Sequence, residues 1–124
     1  MSSILLVAAP ESRRRLVSIL REAGYAIAEA DSEETALDIA RAAAPALILM
    51  TIVMRNSNGL EVAARLRQQL NSKLPPIILL GTITPIGIDE EPLVSLVSGY
   101  LDIDVSSDEL LAAVRSHVGN APMS

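Results

Sequence analysis

Short aliphatic runs alternate along the chain with stretches in which apolar residues recur every three or four positions, the signatures of buried strands and one-sided helices. The first run is Ile4-Leu5-Leu6-Val7. Pro10 suits a first helical position, a stripe of Leu16, Ile19, Leu20 and Ala23 follows, and Gly24 ends the helix. A second strand is expected over 25–30. Asp31 or Ser32 then caps a helix carrying Ala36, Ile39, Ala40 and Ala43, which Pro45 ends. Ala46-Leu47-Ile48-Leu49-Met50 reads as the third strand, and Asn58-Gly59-Leu60-Glu61 is close to a capping box for a helix bearing Ala63, Leu66 and Leu70. Pro76-Ile77-Ile78-Leu79-Leu80 is the fourth strand. Pro85, Gly87 and Pro92 leave room only for a short helix over 91–98. The fifth strand is expected over 100–105. Ser106-Ser107-Asp108-Glu109 forms a capping box for a last helix with Leu111, Val114 and Val118 on its stripe, closed by Gly119.

Five strand–helix units imply an α/β fold, a parallel sheet with helices on both faces. Strands one, three and four are nearly continuous aliphatic runs, as strands covered on both sides must be. Strand two alternates large and small residues and carries Glu29. Strand five alternates Leu101, Ile103 and Val105 with Tyr100, Asp102 and Asp104. Such mixed textures belong to sheet edges. Edges at two and five give the order 2-1-3-4-5, a flavodoxin-like doubly wound sheet of five strands and five helices. A ligand site in that arrangement lies beyond the C-terminal strand ends.

Composition narrows the function. The 124 residues suffice for one domain, expected over 1–120, with 121–124 as a tail or truncated linker. With no Phe, no Trp and two Tyr, the core is aliphatic. Absence of cysteine removes disulfides and thiolate metal sites and suits a reducing cytoplasm. A net charge of −5 argues against a surface that tracks phosphates, and two aromatics make no stacking platform, so no direct nucleic-acid contact is expected. Apolar runs are too short to span a bilayer, and Met1-Ser2-Ser3 leads into a strand without a basic region or cleavage pattern, so neither membrane insertion nor a signal peptide is expected.

The blocks Ile4-Leu5-Leu6-Val7 with Arg13-Arg14-Arg15-Leu16, Pro45 to Met50, Asn58-Gly59-Leu60-Glu61, Pro76 to Leu80, and Tyr100-Leu101 with Asp108-Glu109-Leu110-Leu111 resemble, in order and spacing, a response-regulator receiver domain of the CheY-like kind. In that family two acidic residues after strand one bind Mg²⁺, an aspartate ending strand three accepts a phosphoryl group, a Thr or Ser ends strand four and a Lys ends strand five. The matching positions here are Ala8 and Ala9, Thr51, Gly81, and Ile103, followed by Asp104 in place of the usual proline. The resemblance therefore implies a degenerate receiver, a pseudo-receiver without the phosphorylation-site residues. Alanine methyls cannot ligate magnesium, and a threonine hydroxyl cannot form an acyl phosphate. Removing one member of a buried charged set costs on the order of 3–5 kcal/mol, whereas replacing the whole set by apolar groups can be neutral. The five changes thus read as a site converted to packed core, with no metal, no cofactor and no enzymatic activity.

Two functions follow from the resemblance: a phosphorylation-independent protein-interaction module in two-component signalling, or a small-molecule sensor with an apolar pocket near Ala8, Thr51 and Gly81. In receivers the short helix at 91–98, strand five and the last helix form the output face. Its candidates here are Leu93, Leu96, Val97, Tyr100, Asp102, Asp104 and Asp108. Asp89, Glu90, Glu91, Asp102, Asp104, Asp108 and Glu109 lie in a stretch from Leu74 to Val114 without Lys or Arg. That acidity reads equally as a solvated face or as a dock for a basic protein, and Leu93, Leu96 and Val97 could pair two copies as a homodimer. Tyr100 is read as a fixed contact residue, because Gly81 removes the hydroxyl to which a moving ring would couple. Thr51 is read as a strand-end threonine bonded to backbone, and Thr82, one residue off, as pointing elsewhere. Arg13, Arg14 and Arg15 spread over about 200° of a helix, too wide for one patch, and so read as a solvated face. Arg55 and the sole histidine, His117, are read as surface residues.

Overall fold

The structure, a computed structural model, describes residues 3–43, 45–51, 59–70, 75–81, 99–102 and 104–118. Three aliphatic runs become the buried centre of a parallel sheet: β1 (Ser3–Val7), β3 (Leu47–Thr51) and β4 (Ile77–Gly81). β2 (Ala26–Ala30) and β5 (Gly99–Asp102) lie at the edges, so the order is β2-β1-β3-β4-β5, as the strand textures predict. All four pairings are parallel, and Val7 stands opposite Met50, Thr51 opposite Leu80, and Gly81 opposite Asp102.

Alternation along the strands sends side chains to two cores. Ile4, Leu6, Leu47, Leu49, Ile78 and Leu80 pack beneath α1 (Pro10–Glu22) and the C-terminal helix α4 (Ser107–Val118). Leu5, Val7, Ile48, Met50, Ile77 and Leu79 pack beneath α2 (Glu33–Ala43) and α3 (Gly59–Leu70). Each fully buried Leu or Ile contributes about 1.5–3 kcal/mol relative to exposure, which makes these runs the main source of stability. The described residues hold four helices; the fifth, expected at 91–98, lies outside them, as do Asn58 and Gly119.

Helix ends follow the local chemistry. Pro10 occupies the first turn of α1, and Gly24, at φ 97°, turns the chain out of it with its N–H donating to Arg21 O at 2.9 Å. Ser32, rather than Asp31, caps α2: its hydroxyl accepts from the Thr35 N–H at 3.2 Å. Ser106 does the same for α4 through the Glu109 N–H at 3.2 Å. Arg65 of α3 ties down the start of α2 through Glu33 at 2.5 Å, with Glu61 at 3.8 Å, and that hydrogen bond raises the guanidinium above its ordinary pKa.

Two expectations need correction, and the stripe of α1 gains a member: Leu16 and Leu20 are buried and Ile19 and Ala23 pack partly buried against the same core, as expected, with Val17 buried beside them. Ala43, the last residue of α2, is exposed. The fifth strand stops at Asp102 instead of reaching Val105. The Asp102 carboxylate accepts from the Asp104 N–H at 2.8 Å and the Asp102 carbonyl from the Val105 N–H at 3.0 Å, so the chain turns there.

Candidate functional site

The C-terminal ends of the central strands bring four of the five singled-out positions to one end of the sheet. Thr51 ends β3 and Gly81 ends β4; Ala8 and Ala9 follow β1 directly. One step past the Val7–Met50 pairing, Ala8 stands beside Thr51. Ala8 is fully buried, Thr51 is 3% exposed, and Gly81 is buried, whereas Ala9 is half-buried as it opens α1. The Ala8 N–H donates to Ala30 O at 3.0 Å, so β1 remains stitched to β2 as it leaves the sheet. Thr51 is engaged within the protein, and no buried side-chain nitrogen or oxygen among the described residues lacks a hydrogen-bond partner. Ile103, the fifth position, lies outside the described residues.

These residues do not fit a magnesium ion. A hard divalent cation takes carboxylate, carbonyl and water oxygens. Ala8 and Ala9 present methyl groups, and Thr51 offers one buried hydroxyl. Among the described residues no three His, Cys, Asp or Glu side chains gather where a metal could be held.

The surroundings of the site contain two residues whose roles the one-dimensional pattern conceals. Arg13 does not face water freely: it is 23% exposed, its Nε lies 3.1 Å from Glu29 Oε1, and its Nη1 donates to the Ala8 carbonyl at 3.3 Å. Arg15 leaves α1 in another direction and donates through Nη2 to the Val105 carbonyl, in the turn after β5. The two guanidiniums therefore brace the chain on both sides of the strand ends. Arg14 and Arg15 are exposed, as the solvated-face reading expects, and Arg13 departs from it. The signal for Arg13 was available: Glu29 is the one acid on β2, and Arg21 also reaches it, at 3.4 Å.

The interaction-face candidates divide. Leu93, Leu96 and Val97 lie outside the described residues, as does the Tyr100 ring, though the Tyr100 backbone pairs opposite Leu79. Asp104, Asp108 and Glu109 are exposed along the β5–α4 turn and the first turn of α4. Asp102 is half-buried, and its carboxylate is already used by its own turn. His117 is exposed near the end of α4, with Nδ1 3.0 Å from Ala113 O.

Residues 5–115 match the family model of the response regulator receiver domain. The polar-differentiation response regulator DivK of Brucella ovis is 29% identical over 120 residues, covering 96% of this chain and 98% of that one. Among solved structures, the chemotaxis protein CheY4 of Vibrio cholerae superposes with a TM-score of 0.83 at 25% identity, over 94% of this chain and 98% of its own. The receiver domain of a sensor histidine kinase from Pseudomonas aeruginosa, which has a magnesium ion coordinated in its active site cleft, gives 0.82 at 25% identity, over 96% and 98%. Among the described residues no helix is long and apolar enough to cross a membrane.

Proposed function

The chain belongs to the response regulator receiver family, and from that premise we propose that it is an atypical receiver, a pseudo-receiver that binds a protein partner without being phosphorylated. One observation carries the reading: the strand ends where a receiver concentrates its charge hold buried Ala8, buried Thr51 and Gly81. Phosphoryl transfer is almost wholly positioning and electrostatic stabilisation, and these side chains supply neither a metal ligand nor an acyl acceptor. The domain runs over 1–120, with 121–124 as tail or linker, and works in the cytoplasm as a non-enzymatic element of two-component signalling.

The partner surface on this reading is the acidic one at Asp104, Asp108 and Glu109, which suits a basic protein. Long-range attraction to such a surface speeds encounter and weakens with added salt.

The test exposes the chain to acetyl phosphate, and separately to beryllofluoride, with magnesium. Mass and amide spectra are expected to stay unchanged. A stoichiometric, base-labile phosphoryl group that depends on magnesium overturns the proposal. A ligand-dependent rise in melting temperature without phosphorylation would favour the sensor reading instead. For the docking face, reversal at Asp104 and Asp108 should abolish capture of a partner from the native cell. Asp102 is the wrong position to reverse, because its carboxylate holds the turn.

A further inference from the structure

One face of α1 overlooks the edge strand β2, and the groove between them, of about 460 Å³, is lined by the guanidiniums of Arg13, Arg14 and Arg21. The helical period gathers them there. At about 100° per residue, Arg14, Ser18 and Arg21 fall within about 60° of one another around α1 and follow each other along one side of it. Arg15 reaches instead to the Val105 carbonyl and does not line the groove. The arginines that share a surface are thus 13, 14 and 21, not the three consecutive ones.

The positive charge of the groove is only partly satisfied. Glu29 of β2 lies 3.1 Å from Arg13 and 3.4 Å from Arg21, one carboxylate against two guanidiniums. Arg13 engages it through Nε and the Ala8 carbonyl through Nη1, and neither contact takes Nη2. The Arg21 side chain is 58% exposed, and Arg14 is exposed and forms no ion pair among the described residues. The Ser18 hydroxyl reaches Glu22 at a long 3.5 Å. Guanidiniums held in this way present forked donors that match phosphoryl oxygens. Glu29 competes with any anion for Arg13 and Arg21, so a single charge gains little over it. A ligand with several charges can bridge Arg14 and Arg21, which are about 10 Å apart along the helix axis. The basic stretch is also short. Glu22 and Glu29 line the same groove, and Glu11 is exposed at the start of α1. A nucleic-acid strand, whose charges continue in both directions, would run into these carboxylates, whereas a compact ligand would not.

We propose that the α1–β2 groove binds a small molecule carrying two or more phosphoryl groups, an inorganic oligophosphate or a nucleoside polyphosphate. Arg14 and Arg21 hold the phosphoryl oxygens, Ser18 donates between them, and Arg13 adds its uncommitted N–H groups from the side. Glu29 orients Arg13 and Arg21 and makes the groove selective for high charge. Its volume suits a ligand of nucleotide size. The site uses none of the strand-end residues and needs no metal, so it is independent of whether the chain accepts a phosphoryl group.

Isothermal titration calorimetry on the whole chain, in magnesium-free buffer at low salt, tests this with orthophosphate, pyrophosphate, tripolyphosphate and ADP as probes. Pyrophosphate and tripolyphosphate are expected to bind with dissociation constants on the order of 100 µM, and orthophosphate at least about tenfold more weakly. Amide shifts on binding should be confined to α1 and β2. Arg14→Gln and Arg21→Gln should each weaken binding on the order of tenfold. Arg115→Gln, which removes the same charge from α4, should leave it unchanged. Glu29→Gln should tighten binding several-fold by releasing two guanidiniums, a gain that damage to the fold would not produce. ADP binding tighter than pyrophosphate assigns a nucleotide as the ligand, and ADP binding no tighter assigns the oligophosphate alone. No saturable binding of pyrophosphate, tripolyphosphate or ADP up to about 10 mM would overturn the proposal. So would orthophosphate binding as tightly as tripolyphosphate, or Arg115→Gln being as damaging as Arg14→Gln.

Discussion

Placing a carboxylate at Thr51 tests whether the strand-end site is packed core. Thr51→Asp places an ionisable group where the side chain is 3% exposed, beside fully buried Ala8 and opposite fully buried Leu80. Arg13, which reaches the Ala8 carbonyl, is already engaged by Glu29. An uncompensated buried charge costs about 3–5 kcal/mol, a large part of a typical domain stability of about 5–15 kcal/mol. At a urea slope of about 1–3 kcal/mol per molar, the midpoint falls by roughly 1–5 M at neutral pH. The penalty disfavours the ionised form, so the new carboxyl's folded-state pKa lies above its unfolded value of about 3.9. The folded variant then holds the proton more tightly than the unfolded chain. Stability is lost as pH rises from about 4 through the raised pKa, a window of about 2–4 units for this penalty, and is regained on acidification. Urea melts of variant and wild type at pH 7.5 and pH 5 measure the effect. A variant within about 0.5 kcal/mol of wild type at both pH values, its new carboxyl titrating near 4, would show a hydrated polar site and refute the reasoning.

Two further substitutions examine the bracing of the site. Arg15→Met keeps an apolar stem but removes the donor to the Val105 carbonyl, and should cost about 1–2 kcal/mol while speeding amide exchange at Asp104 and Val105; unchanged exchange would show that the contact does not hold the turn. Ser106→Ala deletes the acceptor for the Glu109 N–H at the start of α4 and should cost about 1 kcal/mol in a urea melt, whereas Ser106→Asp should be close to neutral.

Much of the architecture is legible because burial dictates residue type. β1, β3 and β4 are covered on both faces, so nearly every position must be aliphatic, whereas the edges can carry Glu29 and Asp102. The strand ends are legible for the same reason, since Thr51 and Gly81 interrupt or close aliphatic runs. What stays hidden depends on a partner distant in sequence. Val105 looks like the next inward residue of a strand, but the Asp102 side chain competes for the backbone and ends the ladder first. Arginines 13 and 15 have a readable direction around the helix, but the carboxylate or carbonyl waiting for each appears only when β2 and the β5–α4 turn are brought beside α1.

The clasp of Arg13 and Arg21 on Glu29 has a consequence for colloidal behaviour. β2 ends the sheet, so its outer backbone groups offer a template on which a foreign strand could add and seed an aggregate. Glu29 stands on that strand with two guanidiniums fixed to it, so an incoming chain would have to strip water from three charges at once. The sheet thereby carries a charged guard against strand addition on one of its two edges.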